Sequence, residues 1–192
     1  RLARKGEAAL RPKLAGMHQW GLAMPGGAEA MVHWRNTLEE LATNGDIPPL
    51  VALDLDCCNM FGSLEWPSIR ASVGRHFPDI QTWTLWAHQQ PAETLLPGGD
   101  TAATDRGAEQ GDPFGTAQSV LTLGDARSQA HTYLRAYQQN LAASPGQGVC
   151  DEWFVDDGQA LVQPALVEPF LRCLQGCCSN SLWQGSHPIA PS

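Results

Sequence analysis

Three aspartates carry the chemistry open to this chain: Asp56, closing the apolar run VALDLD, and the adjacent pair Asp156 and Asp157 in FVDDG. Two divalent cations held about 3.5–4 Å apart need a small set of carboxylates converging from separate strands. Such a pair serves in-line displacement at phosphorus, where the difficulty is charge and catalysis is positioning plus electrostatic stabilisation. Mg²⁺, or Mn²⁺ in its place, takes oxygen ligands and prefers one or two carboxylates plus substrate phosphates. Asp56 at a strand end and Asp156 at a hairpin tip suit that role. Alone, either aspartate reads as a turn cap. Phe61 five positions after Asp56, and QGDP (Gln110 to Pro113) lying between the two acidic sites, turn the balance towards chemistry.

The elements that must position these residues follow from pattern. Residues 1–16 are rich in Ala, Leu, Arg and Lys and predict a helix. Met31, Trp34, Leu38 and Leu41 repeat as an amphipathic stripe, which Asn44-Gly45 should end with a left-handed cap. Leu50 to Asp56 predicts a buried-type strand, Leu53 and Leu55 on one face, Ala52, Asp54 and Asp56 on the other. Pro67 suits the first turn of a helix carrying Ile69 and Val73. Residues 81–87 and 93–96 read as apolar or extended pieces, and Pro97-Gly98-Gly99-Asp100 as the turn of a hairpin over 91–105. Asp112 as N-cap and Pro113 in the first turn open a helix carrying Ala117, Val120 and Leu121, with Ala130, Leu134, Tyr137 and Leu141 continuing the spacing. Ser144 to Gly148 is a loop. Residues 153–162 predict a second hairpin with Asp157-Gly158 at its tip. A short helix over 164–178 follows. Helices against one face of a small, mostly antiparallel sheet make an α+β fold.

Composition narrows the classes. At 192 residues the chain fits one domain, or one and part of another. Hydrophobic content of 43% and charged content of 17% describe a globular chain. No run of about 18 apolar residues predicts a membrane span. The opening RLARKGEAALRPKLAG lacks the apolar stretch of a secretory signal, so an intracellular chain, nuclear or cytoplasmic, is expected. It opens without Met, as if cut from something longer. The six cysteines are expected reduced, and Cys173, Cys177 and Cys178 lack the spacing of a zinc framework. The six histidines are scattered without metal-ligand spacing, and no Gly-rich phosphate loop with a following Lys exists. The net charge of −8, with Lys5 and Lys13 the sole lysines, counts against self-sufficient nucleic-acid binding, although a metal-binding site is itself acidic.

VALDLDCCNMFGSLEW, RGAEQGDPFGTAQSVL and EWFVDDGQALV, in that order, resemble motifs A, B and C of reverse transcriptases, especially the non-LTR retrotransposon type. The run QWGLAMPGGAEAMVHW resembles the segment before motif A, so the likeness spans about residues 1 to 170. The resemblance implies a polymerase palm over 49–178, partial fingers and connecting helices over 1–48, a tail over 179–192, and no thumb. It implies RNA-directed DNA synthesis from an RNA template, a DNA primer and deoxynucleoside triphosphates. Asp56 and Asp156 match the metal-binding aspartates, Asp157 the second Asp of the family's pair, and the Cys57 carbonyl a further metal ligand. Phe61 matches the aromatic gate against a 2′-hydroxyl. Gln110, Gly111 and Pro113 match the motif beside the nascent base pair and template.

The chain departs from the family in having no Lys after Lys13, where motif D often carries one. Two further readings stay open: a catalytically inactive retrotransposon-derived relic acting as a binding module, and a metal-dependent glycosyltransferase using Asp54-x-Asp56.

Overall fold

Where apolar residues recur at helical spacing, the chain buries them. A computed structural model describes residues 2–109, 111–140 and 148–181. Helix α1 (Leu2–Gly16) sinks Leu10 and Leu14 into the core, and α2 (Gly27–Asn44) buries Met31 with Trp34, Leu38 and Leu41 half-buried behind it. Gly45 ends α2 at φ 80°, its N–H on the Ala42 carbonyl and that of Asp46 on Leu41. This is the glycine-closed Schellman cap that the sequence predicts. Strand β1 (Val51–Asp56) leads through α3 (Met60–Ser63) and α4 (Trp66–His76) to α5 (Gln81–Ala87). Strands β2 (Ala92–Leu95) and β3 (Thr101–Thr104) form the expected hairpin, an exposed two-stranded ribbon. The long helix α6 (Gly115–Asn140) precedes β4 (Val149–Phe154), β5 (Asp157–Val162) and α7 (Val167–Ser181).

The central sheet is antiparallel in the order β1-β5-β4. Val51 faces Val162 and Asp56 faces Asp157, while Trp153 faces Gly158. Because side chains alternate along strands, this register sorts the faces. Leu53, Leu55, Trp153, Ala160 and Val162 join one core with Leu121, Ala130 and Leu134 of α6 and Phe170 of α7. Asp54, Asp56, Glu152, Asp157 and Gln159 share the other face. The fold is α+β, with helices packed on a small antiparallel sheet.

Four local expectations change. Strand β1 lies at the sheet edge, so Val51 and Ala52 are exposed and only Leu53 and Leu55 are half-buried. Residues 81–87 form a helix, started by the turn at Pro78–Ile80 and buried only at Thr84, whose hydroxyl donates to the Ile80 carbonyl at 3.1 Å. Helix α6 begins at Gly115 because Asp112 accepts the Phe114 N–H at 2.9 Å, closing a local turn before it. The β4–β5 hairpin turns at Val155-Asp156, not Asp157-Gly158. A Cβ at Gly158 would lie 2.7 Å from the Trp153 ring, so this glycine is the strand residue that lets the indole cross it.

Leu141 and residues 144–147 of the expected helix end and loop lie outside the described residues, as do 182–192 of the tail. Cys177 is buried, and no disulfide occurs among the described residues. The side chain of Cys178 is outside them. None of the described helices is long and apolar enough to cross a membrane.

A buried ion pair joins α6 to β4. Arg127 donates twice to Asp151 Oδ2, at 2.9 and 2.7 Å, and once to the Met17 carbonyl at 2.7 Å. His131 lies 2.7 Å from Asp151 Oδ1, and Trp153 Nε1 donates to Oδ2 at 2.8 Å. Burial pushes the Asp151 carboxyl up, but His131, the Arg127 charge and the Trp153 N–H together hold it well below the usual carboxylate range. Arg127→Met leaves that carboxylate buried with a partner missing, and we expect a loss of about 3–5 kcal/mol in urea unfolding. A carboxyl depressed on folding contributes stability that is present above its unfolded pKa, about 3.9, and is lost as pH falls below it. Asp151→Asn should therefore flatten the loss of stability between pH 4 and 2.

Candidate active site

The sheet register brings the three aspartates together at one end. Asp56 is the last residue of β1 and stands directly opposite Asp157, the first of β5. Residues so paired carry Cβ atoms about 4.5–5.5 Å apart on the same face. Asp156 occupies the adjoining turn, where its carbonyl accepts the Cys57 N–H at 3.3 Å. Asp56 and Asp157 are exposed and Asp156 is half-buried. None of the three is ion-paired among the described residues. No group of three or more His, Cys, Asp or Glu side chains is gathered at metal-ligating distance among them. The carboxylates therefore share an edge without closing on a common point. The Cys57 carbonyl accepts the Met60 N–H at 3.1 Å.

The turn that carries Asp156 is strained and externally held. Val155 has φ 60°, and a left-handed β-branched residue is a genuine outlier. A positive φ at the first of two turn residues fits the tight hairpin turn that normally places Gly there. Gln19, fully buried, supplies the restraint from more than 130 residues away: its Oε1 accepts the Val155 N–H at 2.7 Å and its Nε2 donates to the Val155 carbonyl at 3.0 Å. Residues 18–20 run alongside β4, with the Trp20 N–H on the Trp153 carbonyl and the Trp153 N–H on that of His18. The buried carboxylate of Glu152 fastens the same segment through His18 Nδ1 at 2.8 Å and the Trp20 indole N–H. That bond raises the His18 pKa against the opposing effect of burial. Sequence reasoning missed Gln19 as a support. Its one signal was its place in the QWGLAMPGG run.

Phe61 lies half-buried on α3, its ring packed against the core, and its carbonyl accepts the Ala108 N–H at 2.7 Å. That bond sets the chain before Gly111 beside the segment that follows Asp56. Gly111 has φ 98° with open space where a Cβ would be, so its glycine is required by backbone conformation rather than by crowding. Gly111 and Pro113 line a groove with Trp83 and Trp86. Gln110 lies outside the described residues. Asp54 is engaged elsewhere, 3.1 Å from Arg35 Nη1 of α2, and its cross-strand neighbour is Gln159. The Asp pair of the turn stands at the Asp56 end of the strand, beyond Asp54.

No family model matches this chain. No curated protein matches it either. Among solved structures, an apo telomerase from Candida Tropicalis truncated from the C-terminal domain shares its fold with a TM-score of 0.55 at 12% identity. The match covers 93% of this chain and 35% of the telomerase chain, so the chain spans about a third of that protein's length. At that identity the likeness speaks for the fold alone.

Gln19→Ala strands two backbone groups of the Val155 turn. We expect it to cost about 1–3 kcal/mol in urea unfolding, and hydrogen exchange at Val155 and Asp156 to quicken relative to the β1–β5 ladder.

Proposed function

We propose that this chain is the palm of a reverse transcriptase of the non-LTR retrotransposon type, built for RNA-directed DNA synthesis. One observation carries the reading: Asp56 faces Asp157 across β1 and β5, with Asp156 in the adjoining turn bonded to Cys57. The ordered motif resemblance and the fold shared with a telomerase support it.

Three carboxylates without an ion pair among the described residues, at one sheet end, are the hard oxygen donors that Mg²⁺ or Mn²⁺ prefers, so the residues suit a divalent pair. Such a pair, when bound, lowers the pKa of an attacking 3′-hydroxyl and steadies departing pyrophosphate. Asp56 and Asp156 hold the metal side of the site, with Asp157 and the Cys57 carbonyl beside them. The Val155 turn, pinned by Gln19, fixes the approach of Asp156. Phe61 bars a 2′-hydroxyl, and Gln110, Gly111 and Pro113 attend the nascent base pair of RNA template and DNA primer.

Heating the chain with Mn²⁺ and a deoxynucleoside triphosphate tests the site without requiring turnover. Saturation at about 100 times Kd adds roughly 2.7 kcal/mol, which for a chain of this size raises Tm by about 5–10 °C. Asp56→Asn and Asp156→Asn should each abolish the rise. Primer extension on an RNA template with Mg²⁺ should likewise vanish in Asp156→Ala, and extension that persists undiminished there ends the proposed metal role. No stabilisation of the wild-type chain at any metal and nucleotide concentration favours the inactive binding module instead.

A further inference from the structure

Beside the Gly111 segment, α5 turns two indoles outwards. Trp83 is 41% exposed and Trp86 61% exposed, with ring centroids 5.1 Å apart and planes at 42°. The groove they edge, about 1120 Å³, runs past Gln89 to Glu93 of β2 and is bounded by Glu109 and Asp112. No Lys, Arg or His lines it among the described residues. Asp112 is partly engaged, with the Phe114 N–H on Oδ1 and the Trp83 indole N–H 3.5 Å from Oδ2. The Glu93 and Glu109 carboxylates form no ion pair among the described residues.

These properties select a partner by charge. Exposed, clustered tryptophans mark contact surfaces, and Trp is among the residues that most often anchor them. An indole face attracts a cation, and a guanidinium stacks on it as well as forking to a carboxylate. Carboxylates without a neighbouring cation repel a phosphodiester chain, whose binding rests on Lys and Arg neutralising phosphates. We propose that this groove docks a basic polypeptide segment, with an arginine stacked on Trp86 and its charge met by Glu93 and Glu109. The groove also includes Gly111 and Pro113, which the polymerase reading sets beside the nascent base pair, so the two readings compete for this surface, while the aspartates of β1 and of the β4–β5 turn take no part.

Fluorescence anisotropy on the full chain tests it with a labelled Arg-Ser repeat peptide, its Lys and Asp counterparts, and an oligothymidylate. The Arg peptide should bind, the Lys peptide more weakly, and the Asp peptide not at all. Trp86→Ala removes a largely exposed ring and should leave circular dichroism unchanged while weakening the Arg peptide about tenfold, the scale of one stacked cation. Glu93→Gln with Glu109→Gln should weaken it further and flatten its salt dependence. Unchanged affinity in folded Trp86→Ala overturns the proposal. Oligothymidylate binding that depends on Trp86 overturns it in favour of single-stranded nucleic acid. Self-association that Trp86→Ala abolishes overturns it in favour of a second copy of the chain.

Discussion

Everything at the acidic end depends on the pairing register of β1 with β5. The side-chain period of a strand is two, so a slip of one residue would send Asp56 to the face that carries Leu53 and Leu55. Two packing demands fix which face each strand turns to the core. Leucines 53 and 55 must reach the core beneath the sheet, and Gly158 must lie under the Trp153 ring, where any side chain would collide with it. With those met, Asp56 has Asp157 as its neighbour. The grouping of the aspartates is thus a by-product of how the apolar face packs.

A second constraint works from outside the sheet. A β-branched residue in a left-handed turn is unfavourable, and it persists where surroundings over-determine it. Here the surroundings are Gln19, the backbone of residues 18–20 and Glu152, all converging on β4 and its turn. Arg127 and Asp151 brace the same strand from the opposite side, through α6 and the carbonyl of Met17. The end of α1, α6 and the hairpin are therefore one mechanical unit around the Asp156 turn. A segment far upstream in sequence reaches the acidic end because it is hydrogen-bonded to it.

Much of this was legible in the residues. The stripe of α2 and its glycine cap, the ribbon around Pro97-Gly98-Gly99-Asp100, and the alternation within VALDLD each follow from local rules. What escaped was decided by tertiary contact. The tip of the second hairpin was misplaced because Asp-Gly is a strong turn signal, yet Gly158 is needed in the strand by Trp153. Residues 81–87 carry tryptophans and threonines that favour strands, but a preceding proline turn and the burial of Thr84 make them a helix. The roles of Gln19 and Arg127 could not be read, since a buried polar side chain is specified by partners brought to it by the fold, Val155 for Gln19 and Asp151 with Met17 for Arg127.

The proposed function requires β1 and the β4–β5 turn to present one shared cation site. Titrating Mn²⁺ into the isotope-labelled chain and following amide resonances tests it most directly, since paramagnetic broadening reports proximity residue by residue. Amides of Asp56, Cys57, Asp156 and Asp157 should broaden together at the same metal concentration. Broadening confined to one of the two segments, or centred on another part of the chain, would contradict it.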